Sequence, residues 1–89
     1  MPEIQATIKH PTGLHARPAA LFVQAAKRFN SQISVRHGAR SGNAKSILNV
    51  LALGASQGAE ITISAEGEDA AAALEALQAL ILNNFGEAV

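Results

Sequence analysis

Hydrophobic and polar residues alternate at the start of the chain, and the spacing then becomes helical. The period of two over residues 3–9 predicts a strand that is buried on one side. The residues predicted to face the core there are Ile4, Ala6 and Ile8. After a break at residues 11–13, the apolar positions of residues 16–29 recur every three or four residues, which predicts an amphipathic helix. His15 therefore stands where the helix begins.

The middle of the chain predicts a hairpin and a short helix. Alternation over residues 32–36 is followed by a turn signal at residues 37–38, and a polar segment up to Asn43 predicts only a weak second strand. Ser46 then precedes an apolar run that Gly54 closes. A serine before such a run and a glycine after it are typical of the N-cap and C-cap of a helix, here of about two turns.

The end of the chain predicts one more strand and a long helix. Residues 60–65 alternate, and Asp69 can cap an alanine-rich helix that follows. The large apolar residues of that helical pattern are Leu74, Leu77, Leu80, Ile81 and Phe85. The order strand, helix, strand, strand, helix, strand, helix predicts an α+β fold in which helices cover a single face of one antiparallel sheet. A chain of 89 residues without a repeat or linker predicts one domain, residues 1–89.

Composition narrows the classes of function. Seven basic and seven acidic residues balance, so no overall field attracts nucleic acid or an anionic membrane. Cysteine is absent, which excludes disulfides and thiolate zinc sites. No apolar run approaches the ~20 residues that span a bilayer, and no signal-peptide pattern is present. We therefore expect a cytoplasmic protein without membrane insertion.

Residues 12–19 read TGLHARPA and contain the main candidates for a functional site. A helix N-terminus offers unpaired N–H groups and a positive dipole, so it can hold a phosphate carried by the His15 imidazole. The Arg17 guanidinium can bind phosphate oxygens in a forked geometry. Thr12 could add a hydroxyl donor, and Ala16 stands where the helical backbone begins. A histidine at a helix start is, taken alone, more often a capping or surface residue.

The chain resembles the HPr family of phosphocarriers of the bacterial phosphoenolpyruvate-dependent sugar phosphotransferase system. The matching segments, spread over essentially the whole chain, are GLHARPA at 13–19, AKSIL at 44–48 and ITISAEG at 61–67. The resemblance implies an open-faced β-sandwich, with a four-stranded antiparallel sheet and three helices in the order βαββαβα. It also implies that His15 takes a phosphoryl group through Nδ1 from enzyme I and gives it to IIA domains of sugar permeases, while Arg17 neutralises the phosphate. Such a protein is a carrier without a cofactor, not a free-standing enzyme.

The resemblance also implies a docking patch and a regulatory site. The patch would comprise the apolar residues Ala20, Ile47, Leu48 and Leu51, with a basic rim of Arg17, Lys27 and Lys45. Plain core packing is the alternative for the three large apolar residues of this set. In regulated members of the family, the serine that matches Ser46 is phosphorylated by an ATP-dependent kinase, reversed by a phosphorylase, and the product recruits a transcription regulator. The sequence leaves open whether Ser46 has this role beyond capping.

Other functions also remain open from the sequence. A metal module would need His10, His15 and His37 to converge; we expect no metal site, and we expect His10 and His37 at the surface. A carrier of the nitrogen-related phosphotransferase branch and a regulatory paralogue that transfers no phosphate are nearer alternatives. The sequence does not identify the transported sugars, and we expect a monomer.

Overall fold

The computed structural model of the protein describes residues 2–11, 13–83 and 85. Within these residues the strands are β1 (Glu3–Thr7), β2 (Gln32–His37), β3 (Arg40–Asn43) and β4 (Glu60–Glu66). The helices are α1 (Ala16–Ala26), α2 (Ile47–Ala52) and α3 (Ala70–Leu82). This is the predicted order βαββαβα, and the fold is the open-faced β-sandwich that the resemblance implied.

The sheet is antiparallel and its strands lie in the order β1-β4-β2-β3. Alternation puts the apolar side chains of β2 and β4 on one face, where they are buried. These core residues are Ile33, Val35, Ile61, Ile63 and Ala65. The strands β2 and β3 form the predicted hairpin, in which Gly38 adopts a φ of +61° that favours glycine.

The helices complete the core with mostly small and aliphatic side chains. Helix α1 buries Phe22 among alanines, α3 buries Leu74, Leu77 and Ile81, and α2 buries only Val50. Helix α1 ends at Ala26, whereas the apolar pattern predicted a helix up to residue 29. The chain turns after it, and the ammonium of Lys45 donates to the Phe29 carbonyl at 2.6 Å. No helix in the described part of the chain is long and apolar enough to cross a membrane.

Asp69 does not cap α3 with its side chain, although it occupies the N-cap position. Its carboxylate instead accepts from the backbone N–H of Asn30 at 2.8 Å and of Ser31 at 2.9 Å, and from the Ser31 hydroxyl. These hydrogen bonds, the Ser31 hydroxyl first, hold the pKa of Asp69 below its usual value of 3.8. The carboxylate thus joins the turn before α3 to the turn before β2.

The surface position expected for His10 and His37 is wrong for His10, which is buried, and holds only in part for His37, which is half-buried. His10 is only 8% exposed, and its ring meets Phe85 edge-on with the ring centroids 6.1 Å apart. His37 is half-buried, and its Nδ1 lies 2.9 Å from the Leu53 carbonyl oxygen. Each histidine follows a buried residue by two positions, which continues the inward side of the strand alternation.

Candidate functional site

His15 is the N-cap residue of α1, and its ring makes no capping hydrogen bond. The backbone there is extended, and the His15 carbonyl accepts from Ala19 N at 2.7 Å, which closes the first helical turn. The side chain is exposed. The ring therefore does not cap the helix, which leaves a surface residue as the remaining structural alternative, and the exposed imidazole lies at the positive end of an 11-residue helix.

The loop before His15 rests on the segment that follows α2. We call residues 54–56 the wall segment. Leu14 N donates to the carbonyl of Ala55 at 2.8 Å, and the Leu14 side chain is buried. Gly13 adopts a φ of +69°, and a Cβ added there would lie 2.5 Å from Ala55 O and 2.6 Å from Ser56 Cα. Only glycine fits between the loop and this wall, so the wall sets where His15 stands.

The neighbouring residues place positive charge and backbone donors near the ring. Arg17 is exposed in the first turn of α1. The N–H of Ala16, at the first helical position, belongs to the groups that an α-helix does not pair internally. Pro18 is buried in the same turn and stiffens it. Thr12 lies outside the described residues, so its contribution stays a prediction.

Ser46 caps α2, as predicted. Its Oγ accepts from Asn49 N at 3.4 Å and from Asn49 Nδ2 at 3.0 Å. The Asn49 Oδ1 in turn accepts from Asn43 N at 3.1 Å, so the amide orientation is fixed by β3. Sequence reasoning missed Asn49. Asparagine three residues after a serine cap was the available signal for a side chain that reaches back to the cap.

The predicted docking patch is exposed in its apolar part. Ile47 and Leu51 are each 37% exposed and Leu48 is 75% exposed, so none of the three is a fully buried core residue. Ala20, on α1, is half-buried. Two of the three basic residues predicted for the rim, Arg17 and Lys27, are exposed, whereas the half-buried Lys45 donates to the Phe29 carbonyl in the turn after α1.

The structure does not bring the three histidines together as a metal site. Among the residues that it describes, no group of three or more His, Cys, Asp or Glu side chains could hold a metal ion. His10 packs on Phe85 and His37 binds the end of α2, while His15 faces solvent.

Comparison with known proteins adds the family context. Residues 2–83 match the family model described as the PTS HPr component phosphorylation site. The chain is 49% identical over 77 residues to the phosphocarrier protein HPr of Buchnera aphidicola, covering 86% of this chain and 91% of that protein. It is 48% identical over 81 residues to the HPr-like protein Crh of Halalkalibacterium halodurans, covering 91% and 96%. The crystal structure of HPr from Thermoanaerobacter tengcongensis is 52% identical with a TM-score of 0.96 over all of both chains. An HPr dimer from the same organism is 53% identical with a TM-score of 0.79, covering 98% and 100%.

Proposed function

This chain belongs to the HPr family of the phosphotransferase system, and from that premise we propose that it carries a phosphoryl group on His15. The donor is phosphorylated enzyme I, and the acceptors are IIA domains of sugar permeases in the cytoplasm. The observation that supports this most directly is the exposed ring of His15 at the N-terminus of α1. No cofactor is required, and phosphoenolpyruvate binds enzyme I and not this chain.

The chemistry needs a neutral ring nitrogen and a place for negative charge. The His15 Nδ1 lone pair attacks phosphorus, a new N–P bond forms, and the N–P bond to the enzyme I histidine breaks. The phosphoryl group adds roughly −1.5 to −2 charges, which Arg17 and the N–H of Ala16 offset. A helix end supplies only about 0.3–1 kcal/mol, up to ~2 when partly buried. Such modest stabilisation suits a carrier, because a phosphate held more tightly would be harder to pass on.

We propose the exposed residues Ile47, Leu48 and Leu51, together with Ala20, as the surface that docks both partners. An apolar patch with a basic rim fits acidic partner surfaces and weak, interchangeable docking. Arg17 and Lys27 supply the exposed charge of the rim. Lys45 adds its charge from a position fixed by the Phe29 carbonyl.

We propose Ser46 as a site of regulatory phosphorylation by an ATP-dependent kinase, reversed by a phosphorylase and read by a transcription regulator. Ser46 directly precedes the helix that presents Ile47, Leu48 and Leu51. Phosphate at Ser46 would place negative charge beside this apolar surface and repel an acidic partner. Phosphorylation would thus weaken transfer to His15 without unfolding the protein.

The test is the intact mass of the protein after incubation with enzyme I and phosphoenolpyruvate. We expect one acid-labile phosphoryl group on the wild type and none on His15→Ala. Arg17→Gln should still be phosphorylated, but more slowly, because it lacks the charge that offsets the phosphate. A phosphoryl group that persists on His15→Ala would mean that another residue is the acceptor.

A regulator that transfers no phosphate is a second candidate, supported by the 48% identity to an HPr-like protein Crh. Failure of the wild type to gain mass, with an enzyme I proven active on another carrier, would favour it. If phosphorylation does occur, transfer to IIA domains of sugar permeases distinguishes the sugar branch from the nitrogen-related branch. We also propose a monomer, which light scattering would show as a mass near 9.2 kDa. The HPr dimer of T. tengcongensis makes this measurement necessary.

A further inference from the structure

His37 connects the β2–β3 hairpin to the end of α2. Its Nδ1 lies 2.9 Å from the carbonyl oxygen of Leu53, the C-cap residue of α2. A carbonyl oxygen can only accept a hydrogen bond, so Nδ1 must carry a proton and donate. The last carbonyls of an α-helix have no partner inside the helix, and this ring satisfies one of them.

A second side chain of the hairpin acts at the same helix end. Arg40 Nη1 donates to the carbonyl of Ala52 at 3.1 Å and lies 3.3 Å from where a Cβ at Gly54 would stand. Helix α2 is only six residues long and cannot hold its last turn by its own hydrogen bonds alone. The hairpin therefore fixes the point at which α2 passes into the wall segment.

The wall segment carries this constraint to His15. Gly54 follows Leu53 directly and adopts a φ of +64°. The next residue, Ala55, accepts from Leu14 N at 2.8 Å, and Leu14 directly precedes His15. The path therefore runs from the His37 ring to the Leu53 carbonyl and along the chain to Ala55. The Ala55 carbonyl then binds Leu14 N, next to the proposed phosphorylation site.

We propose that His37 is a positioning residue for His15. Its Nδ1–H holds the Leu53 carbonyl, which sets the wall segment against which Gly13 and Leu14 rest. Loss of this hydrogen bond should make the backbone at Gly13 and Leu14 more mobile and slow phosphoryl transfer. The side chains of the docking patch should stay unchanged. The kinetic part of this inference rests on the proposed carrier function, whereas its structural part does not.

Three variants test the proposal. His37→Asn keeps an N–H donor near the position of Nδ1, and His37→Leu removes the donor but keeps an apolar side chain. Arg36→Gln is the control, because Arg36 is the preceding residue of β2 and lies on the exposed face. Long-range ¹⁵N–¹H NMR of the wild type should show a proton on Nδ1 of His37.

Amide hydrogen exchange gives the decisive structural measurement. In His37→Leu, exchange at Leu14 should accelerate roughly 5-fold more than exchange at Ile63, within the range for loss of one hydrogen bond. Ile63 lies in the core of β4 and reports global unfolding. His37→Asn should restore most of the protection, and Arg36→Gln should change neither amide.

Phosphorylation by enzyme I gives the functional measurement. His37→Leu should lower kcat by a similar factor with KM nearly unchanged, and His37→Asn should recover it. A proton on Nε2, an unchanged Leu14 exchange rate in His37→Leu, or failure of asparagine to rescue would each overturn the positioning role. If an active enzyme I does not phosphorylate the wild type, the carrier function fails, and the exchange rates still decide whether His37 positions the loop.

Discussion

Substitution of Gly13 by alanine tests whether the wall segment sets the position of His15. Gly38 provides a matched control, because its φ of +61° is close to the +69° of Gly13. The two sites differ in their surroundings. A Cβ at Gly38 would meet nothing within 4 Å, whereas a Cβ at Gly13 would meet Ala55 O at 2.5 Å and Ser56 Cα at 2.6 Å.

The expected losses of stability follow from these two sets of contacts. A left-handed backbone costs a non-glycine residue about 1–2 kcal/mol, so Gly38→Ala should lose about that much. Gly13→Ala should lose the same amount and, in addition, about 1–3 kcal/mol for forcing backbone atoms apart. The wall atoms are backbone and cannot rotate away. We therefore expect a total loss of about 2–5 kcal/mol at Gly13.

Urea unfolding followed by circular dichroism measures both losses. For a domain of this size, 1 kcal/mol corresponds to a shift of about 4–8 °C in Tm, so thermal unfolding gives an independent check. Gly13→Ala should also be phosphorylated more slowly than Gly38→Ala under conditions where both are folded. Equal losses of stability and equal transfer rates in the two variants would refute the idea that the wall segment sets the site.

Three further predictions concern other parts of the molecule. The pKa of Asp69 is lower in the folded protein, so its stabilising contribution is complete above the unfolded value of about 4 and is lost as pH falls through the folded value. Asp69→Asn should therefore be less stable than wild type at pH 7, and denaturant unfolding should show this difference shrinking towards pH 2. Ser46→Ala should cost about 1 kcal/mol through loss of the cap, measured by urea unfolding, whereas Ser46→Asp should keep a capping oxygen and lose less. Leu48→Asp should raise the KM for enzyme I with stability changed by less than about 0.5 kcal/mol, while Leu82→Asp, at a leucine also exposed but on α3, should leave KM unchanged.

The parts of the fold and site that the sequence predicted depend on neighbours in the chain. A period of two, a period near 3.6 and a cap residue are local patterns, so the sequence predicted the order of strands and helices along the chain, the start of α1 at His15 and the cap at Ser46. The contacts that were missed join residues far apart. The bond between Asp69 and Ser31 spans 38 positions, and the bond between Lys45 and the Phe29 carbonyl spans 16. Local pattern does not indicate which distant turn a carboxylate or ammonium will reach.

His10 and His37 show a different limit of prediction from sequence. Both histidines continue the inward side of alternations that contain Ile8 and Val35, so the period of two, extended by one step, indicates that side of the sheet. The expectation of a surface position rested instead on the absence of a match to the family's catalytic positions. An imidazole can be accommodated away from solvent when a ring nitrogen has a hydrogen-bond partner or the ring packs on an aromatic side chain, as His37 at the Leu53 carbonyl and His10 against Phe85 illustrate.

The same observation strengthens the assignment of the acceptor. All three histidines of the chain lie within the described residues, where His15 is exposed, His37 is half-buried and His10 is buried. A phosphoryl donor on another protein must reach the accepting nitrogen in line, which burial against Phe85 hinders at His10 and which the Leu53 carbonyl hinders at Nδ1 of His37. Accessibility thus distinguishes His15 from the other two histidines. His15 also lies at a helix N-terminus with an arginine beside it.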